Sequence, residues 1–342
     1  MAVPVSSAPD RPATIHDVAA LSGVAASTVS RALSTPQRVN FRTRLRIEEA
    51  AARLNYIPNS QAKALSSGRT GAVAVLVADI TNPFFFDIIR GAQLQLKAAG
   101  YTQLLVDTEE SGEVEASTLE QLRRSADGVI LTASRLSDEA LSIAATKIPL
   151  VTINTEIPGV ASVVLDTPSA TNQALDHLMS LGHRRIAYIA GPDASRSNQR
   201  RWTALSAAAE ERQVQITRLG GFSPRTYSGA AAADAAVHSG VSACIVFNDL
   251  IAIGMLQRLR ERGVAVPAEM SIVGCDDIFG SDFCSPPLTT VTAPVEQAGR
   301  TAVTLLLSQL KPGVGNDRRH LAVLPTHLTI RGSTGPAPDT RT

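Results

Sequence analysis

Two rhythms of apolar residues divide this chain. Between Thr14 and Leu54 they recur at helical spacing. Thr14 can cap a first helix whose stripe is Ile15, Val18, Ala19 and Leu21. Ser22-Gly23 interrupts it, and Gly23 can take the left-handed backbone that a tight helix–helix turn needs. A second helix is predicted over about 26–33, with Val29, Ala32 and Leu33 inward and Ser27, Ser30 and Arg31 facing elsewhere. A third covers about 42–54, with Leu45, Ile47, Ala50, Ala51 and Leu54 in its buried set and Asn55 as a left-handed stop. Three short helices, the first two joined by a tight Gly turn, form a helix-turn-helix head.

The stretch YIPNSQAKALSSGRTGA follows. Pro58 can open a helix over 59–65, too short to persist alone in water, before Ser66-Ser67-Gly68 acts as linker. The main boundary is placed near Thr70. From Gly71 short apolar runs alternate with amphipathic segments: GAVAVLVADI, YTQLLVDT, ADGVILTAS and IPLVTIN read as strands, with helices over 84–100 and 114–124. After LGHRR the pattern restarts with RIAYIAG, QITRLGG, SACIVFN and MSIVGCDD, the last clear parallel strand, separated by helices over 201–212, 227–238 and 249–262. Continuous apolar strands alternating with helices imply parallel sheets covered on both faces. The fold class is therefore multidomain, an all-α helix-turn-helix head plus an α/β core of two similar lobes flanking a cleft.

Composition narrows this picture. The 342 residues are 44% hydrophobic and 18% charged, with no apolar run long enough to cross a bilayer. The opening MAVPVSSAPDRPAT reads as a loose leader rather than a signal peptide. Three cysteines without zinc-type spacing suggest reduced thiols in the cytoplasm. The net charge of +1 conceals an asymmetry. Residues 1–70 carry nine Lys/Arg against four Asp/Glu, a net +5, while the other 23 Lys/Arg and 27 Asp/Glu leave the body at −4. A basic head on a mildly acidic body suits a polyanionic partner.

Enzyme signatures are missing from the sequence. It contains no G-x-G-x-x-G after a strand, no Walker loop and no G-x-S-x-G elbow, and its six histidines have no metal spacing. No catalysis, cofactor or metal is expected. Binding groups instead collect at strand ends, where open α/β sheets take ligands. Asn82-Pro83-Phe84-Phe85 follows the first strand, and Phe85 and Phe86 cannot both face the same way. Arg201 lies in the first helix of the second lobe, as a ligand clamp or a solvated charge. Asn248-Asp249 ends a strand, as binding groups or as the cap of the helix that follows, and Asp276-Asp277 ends another, where one member can cap or turn and the other bind. Carboxylates and amides beside aromatic rings suit hydroxyl-rich or heterocyclic small molecules.

Over about residues 13–334 the chain resembles the LacI/GalR family of bacterial transcriptional repressors. The likeness rests on ATIHDVAALSGVAASTVSRALS and RIEEAAARLNYIPNSQAKAL in the head. In the body it rests on DITNPFF, ADGVIL, LGHRRIAYIAGP, FNDLIAIGMLQRLRERGVAVPAEMSIVGCDD, PPLTTV and LPTHLTIRGST. The resemblance implies a cytoplasmic homodimer that binds a double-stranded, pseudo-palindromic DNA operator and a small-molecule effector, a sugar, sugar derivative or nucleobase-like metabolite, without a membrane. A solute-binding protein without a transcriptional role is the alternative; it would share the body and lack the head.

The domains implied are a leader (1–12), the DNA-binding head (13–57), a hinge (58–70), the core (71–334) and a loose tail (335–342). Within the core, the N-lobe is expected over 71–183 and 293–322, and the C-lobe over 184–292 and 323–334. By position in the family, Ala26, Ser27 and Arg31 read bases in the major groove, and Arg31 can pair bidentately with guanine. Thr14, Thr28, Ser30 and Asn40 contact the DNA backbone. In the hinge, Asn59 and Ala62 accompany Leu65, the minor-groove wedge, and the small Ala62 lets paired hinge helices lie close. For the effector the resemblance implies Phe84, Phe85, Ser169, Arg201, Phe222, Asn248 and Asp276. The chain departs from the family at Ala25, which stands where a capping serine is frequent, at Cys275 in place of an aromatic, and at Ser169 in place of an acidic residue. The tail has no heptads, so a coiled-coil tetramer is not expected.

Overall fold

The computed structural model describes residues 11–57, 69–311 and 320–338, so the expected hinge residues Asn59, Ala62 and Leu65 lie outside the described residues. The chain divides into two compact units, residues 1–70 and 71–342.

The first unit holds α1 (Ile15–Ser22), α2 (Ala26–Ser34), a 3-10 turn (Pro36–Arg38) and α3 (Phe41–Arg53). Val18, Ala19, Val29, Ala32, Ile47 and Ala50 form its core, with Ile15, Val24, Leu33, Ala51 and Leu54 packed around them. Gly23 at φ 65° and Asn55 at φ 46° make the two expected left-handed turns. Leu21 and Leu45 are exposed, contrary to the sequence expectation. The helical period explains both: the α1 stripe continues from Val18 to Ser22, and the α3 stripe runs Ile47, Ala50, Ala51 and Leu54, leaving Leu21 and Leu45 off the face. Ser22 can be buried because its hydroxyl donates to Val18 O at 2.7 Å.

The second unit contains two six-stranded sheets. The first is wholly parallel, built from β1 (Ala72–Val77), β2 (Thr102–Asp107), β3 (Gly128–Thr132), β4 (Leu150–Ile153), β5 (Ala161–Leu165) and β11 (Leu321–Leu324) in the order β11-β5-β4-β3-β1-β2. Helices α4 (Phe84–Ala98) and α11 (Val295–Gln309) cover one face, where Val73, Val75 and Val77 point. Helices α5 (Gly112–Leu122) and α6 (Asp138–Lys147) cover the other, where Ala74 and Leu76 point. The period-2 alternation thus feeds two cores from one apolar strand. Helices α4 and α11 meet through glycine: a Cβ on Gly91 would lie 2.1 Å from Glu296 O, and one on Gly299 2.3 Å from Ile88 O.

The second sheet runs β12-β10-β9-β8-β6-β7, from β6 (Arg185–Ile189), β7 (Gln215–Leu219), β8 (Ala243–Val246), β9 (Ser271–Cys275), β10 (Thr289–Thr292) and β12 (His327–Thr329). Only the β10–β12 pair is antiparallel. Its faces are covered by α7 (Thr167–Ser180) with α8 (Arg196–Glu211), and by α9 (Gly229–Ser239) with α10 (Asp249–Glu261).

The structure departs from the sequence expectation at three places. Helix α7 belongs to the second lobe, because Ala174, Leu175 and Leu178 pack on Ile186 and Tyr188; the chain first changes lobe near Asp166, not after 183. MSIVGCDD is not the last parallel strand, since β10 continues the second sheet and β11 completes the first. All of β11 lies in the first sheet, so the final change falls at 325–326 rather than 322. The first and final crossings are tied together: Thr326 Oγ1 donates to Asp166 O at 2.6 Å, and Asp166 N to Leu324 O at 3.0 Å.

The tail after Thr334 is pinned in its first residues rather than loose. Gly335 N donates to Ser271 Oγ at 3.0 Å, and Ala337 N to Leu181 O at 2.8 Å. Gly335 O also accepts from His183 Nε2 at 3.1 Å, while His183 Nδ1 lies 2.8 Å from Ser242 Oγ. Burial pushes the fully enclosed His183 imidazole below its ordinary pKa of 6.5, against the Gly335 hydrogen bond. A pKa lowered on folding gives stability that is present above 6.5 and lost as pH falls through the folded value. The melting temperature should therefore fall on acidification below pH 6.5, and His183→Gln should flatten part of that slope; parallel profiles for the two proteins would contradict this.

Candidate functional site

In the head, Val29 and Ala32 face the core while Ser27, Ser30 and Arg31 stand exposed on the outer side of α2, at i, i+3 and i+4. Ala26 and Thr28 are half-buried beside them. Small residues around one long cation give a helix that can enter a groove closely and reach a base edge with Arg31. Ala25 precedes α2 without a side-chain cap, as its methyl dictates. Arg46 donates to Ser22 O, joining α3 to the end of α1.

Two expected backbone contacts have structural duties. The Thr14 hydroxyl gives its one proton to Asp17 Oδ2 at 2.7 Å, so it is spent within the head rather than free to donate to a phosphate. Asn40 Oδ1 accepts from Arg42 N at 2.9 Å and caps α3; its amide nitrogen is the group that can donate outward.

In the core, chain order reverses between β1 and β3 in one sheet and between β6 and β8 in the other. Open α/β sheets form their binding crevices at such points. Arg201, on the second turn of α8, is buried there. Its Nε donates to Thr167 Oγ1 at 3.2 Å, its Nη1 donates to Phe247 O, and its Nη2 lies 3.7 Å from Asp276 Oδ1. The guanidinium also sits 5.1 Å above the Phe247 ring. Asp276 follows β9 at φ 115°, a conformation strained for any residue but glycine, and Asp277 at φ 53° takes the left-handed turn that aspartate tolerates. Burial pushes the Asp276 carboxyl up to about 8, although Arg201 pulls the other way. Asp277 instead accepts from Arg331 at 2.7 Å and Thr292 at 2.8 Å, so one of the pair is braced and the other faces Arg201.

The remaining expected residues divide. Phe85 is a core side chain, 3% exposed in the first sheet's cluster, which corrects its assignment to the effector. Phe84 stands half-buried edge-on to it, ring centroids 5.2 Å apart, and Phe86 is exposed. Asn248 caps α10 through Ile251 N at 3.0 Å and donates to Pro224 O at 3.2 Å, so it shapes the crevice from within the protein. Ser169 is exposed on the first turn of α7 and donates to Asp166 at 2.5 Å. Phe222 is half-buried against the α9–α10 core.

A cavity of about 690 Å³ opens between residues 135–138 and 154–158 of the first lobe and 194–200 of the second, lined by Arg135, Asp138, Asn154, Glu156, Arg196 and Arg200 among others. Arg201, Asn248 and Asp276 do not line it; Arg201 and Asn248 are buried in the second lobe, and the Asp276 side chain is 10% exposed. Asn154 escaped the sequence reading. It follows β4 at φ 59° with its Oδ1 accepting from Leu165 N at 3.1 Å, and the signal that singled out Asn248, a polar residue closing an apolar strand, is present in IPLVTIN. Asn198 was also missed. It accepts from Tyr188 Oη at 2.9 Å and Gly191 N at 3.0 Å, and donates to Gly191 O and Pro192 O, fixing the turn before α8.

Residues 14–59 match the model of bacterial regulatory proteins, lacI family, and residues 175–334 match the periplasmic binding protein-like domain. The HTH-type transcriptional repressor CytR of Escherichia coli (strain K12) is 32% identical over 335 residues, 95% of this chain and 97% of its own. The chain belongs to the LacI family. The HTH-type transcriptional regulator DegA of Bacillus subtilis (strain 168) is 31% identical over 94% of this chain and 98% of its own. Among solved structures, the Lac repressor dimer bound to operator and the anti-inducer ONPF superposes with a TM-score of 0.84 at 26% identity, covering 95% of this chain and all of that one. These relatives are transcriptional regulators, not enzymes. Among the described residues no helix is long and apolar enough to cross a membrane.

Proposed function

We propose that this LacI-family protein is a cytoplasmic, homodimeric, sequence-specific DNA-binding repressor released from its operator by a small metabolite. The observation that carries the reading is the outward face of α2, with Ser27, Ser30 and Arg31 exposed opposite a buried Val29 and Ala32. A binding protein that only held solutes would have no use for that face. The first domain reads the half-site, and the core supplies effector recognition through Arg201 and Asp276, with Asn248 shaping the crevice and Phe84 and Phe222 as the neighbouring aromatics. A buried cation beside an acidic group that can carry a proton suits hydroxyls and heterocyclic nitrogens, which donate and accept together.

The second copy has an apolar surface to meet. Tyr227, Phe279 and Phe283 are 72%, 81% and 66% exposed; the 3-10 turn of Tyr227 packs on α10, and Asp249 at the start of α10 accepts from Ile278 N and Ser281 Oγ beside the two phenylalanines. Phe279 and Phe283 are paired edge-to-face at 5.1 Å. Aromatic residues of this exposure are characteristic anchors of subunit interfaces. Phe279→Glu should turn the dimer into monomers in sedimentation at micromolar concentration; an unchanged dimer would move the interface elsewhere.

The experiment that tests the function combines selection and release. The full chain should enrich particular genomic fragments from sheared DNA, and a thermal-shift screen of neutral sugars, sugar acids, nucleosides and purines should yield a compound that raises the melting temperature. That compound should then displace the chain from the selected fragment. A stabilising compound that leaves the complex intact would remove the inducer half of the reading, and an absence of fragment enrichment would remove the repressor half.

A further inference from the structure

Two arginines of the second lobe reach across to the first. Arg196 opens α8; its Nη1 donates to Ser134 O at 3.1 Å, and its Nη2 donates to Leu136 O and to Asp138 Oδ1, both at 2.6 Å. The loop that receives it, between β3 and α6, is braced from behind. Glu115, buried on α5, accepts the Ser134 hydroxyl and, at 2.9 Å, the Arg135 amide. Arg135 in turn donates to Ala133 O at 2.8 Å and pairs with Glu110 at 2.6 Å. Arg225, in the segment after β7, forms the other tie, 3.1 Å from the buried carboxylate of Asp79 at the end of β1. Asp79 also accepts from Thr81 N at 2.9 Å and Thr81 Oγ1 at 2.6 Å, so its position is fixed.

Both ties fall on loops at the point where the first sheet reverses order, after β1 and after β3. We propose that Arg196 and Arg225 are a cross-lobe latch that holds the core closed by its own contacts, with Arg196 acting as a positioning residue for the cavity it lines. Three of the five guanidinium N–H donors of Arg196 are committed to the first lobe, two of them on backbone carbonyls two residues apart. A forked cation serves that geometry, whereas a lysine ammonium on a flexible stem cannot hold both carbonyls in one fixed plane. Arg196, Leu136 and Asp138 all border the 690 Å³ cavity, so closure of the latch and the shape of the cavity are one event. A ligand that binds the closed core then gains affinity from the population already latched. The proposal rests on the effector reading only for its use, since the latch is measurable without DNA or metabolite.

Spin labels at Glu139→Cys on α6 and Glu210→Cys on α8, in a Cys284→Ser background, report the distance between lobes. Labelled protomers are diluted into excess unlabelled chain so that each dimer carries one pair. A second pair at Glu113→Cys and Glu139→Cys reports the first lobe alone. The full-length protein should give one inter-lobe distance. Arg196→Ala with Arg225→Ala should add a longer population, Arg196→Lys a smaller share of it, and the pair within the first lobe should not change. Arg225→Ala alone, at a well-exposed side chain, keeps the test open should the double variant fold poorly; it too should lengthen the distribution. Superimposable inter-lobe distances in Arg225→Ala and Arg196→Lys would overturn the latch. So would a wild-type distribution already containing the long population, or a change inside the first lobe as large as that between lobes.

Discussion

Arg201→Ala is expected to lower the unfolding free energy of the core by about 2–4 kcal/mol, because two buried acceptors lose their donor at about 1–3 kcal/mol each. The loss has several physical parts. Phe247 O and Thr167 Oγ1 lose a donor, the Phe247 ring loses its stacked cation, and Asp276 loses the only guanidinium drawn toward it among the described residues. Urea titration of the full chain checks it, and a change below about 1 kcal/mol, as surface substitutions give, would show that Arg201 is solvated rather than buried in solution. Asp276 adds a pH signature. Its carboxyl is raised on folding from 3.8 to about 8, so its contribution to stability is present below the unfolded value and lost as pH rises through about 8. Asp276→Asn, which keeps the shape of the protonated acid, should flatten the decline in melting temperature between about pH 4 and pH 8. An unaltered slope would mean that Asp276 ionises freely.

Arg31→Ala carries the second large effect. Loss of a bidentate contact to guanine should weaken binding to a selected operator by about 1–3 kcal/mol, on the order of 5- to 150-fold. Binding to random duplex, which counterion release dominates, should change far less. Competition between operator and random DNA at one salt concentration separates the two. Equal losses on both sequences would make Arg31 a phosphate contact, and no loss on either would take it off the interface.

Local pattern made much of this fold legible. Gly23 and Asn55 turn where a left-handed residue was needed, and α1 to α3 begin and end within a residue or two of the apolar periodicity. Strand ends were legible as well, because a polar residue closing an apolar run is visible in one dimension. Direction was less so. FNDL shows an amide after a strand, but only the structure shows that Asn248 spends its carbonyl on Ile251 N and its amide on Pro224 O. NPFFF shows three adjacent rings, and the helix sends Phe85 into the core while Phe86 looks out. The hardest features were non-local. Nothing near SRSNQ tells that Arg196 bonds carbonyls some 60 residues earlier in the other lobe, and nothing in TPSATNQALDHLMS tells which sheet its apolar face will meet. A chain that passes between lobes through a residue or two leaves no mark in its periodicity, which is why the boundary after β5 was misplaced while the strands on either side were not.

The central claim is that two heads on one dimer read two half-sites of DNA and that a metabolite bound in the core undoes this. A footprint of the full chain on its most enriched genomic fragment tests it most directly. Two symmetric half-sites about one helical turn apart should be protected, and the protection should be lost when the compound that stabilises the core is added. Protection of a single half-site, or a footprint that drifts along the fragment without sequence preference, would contradict it.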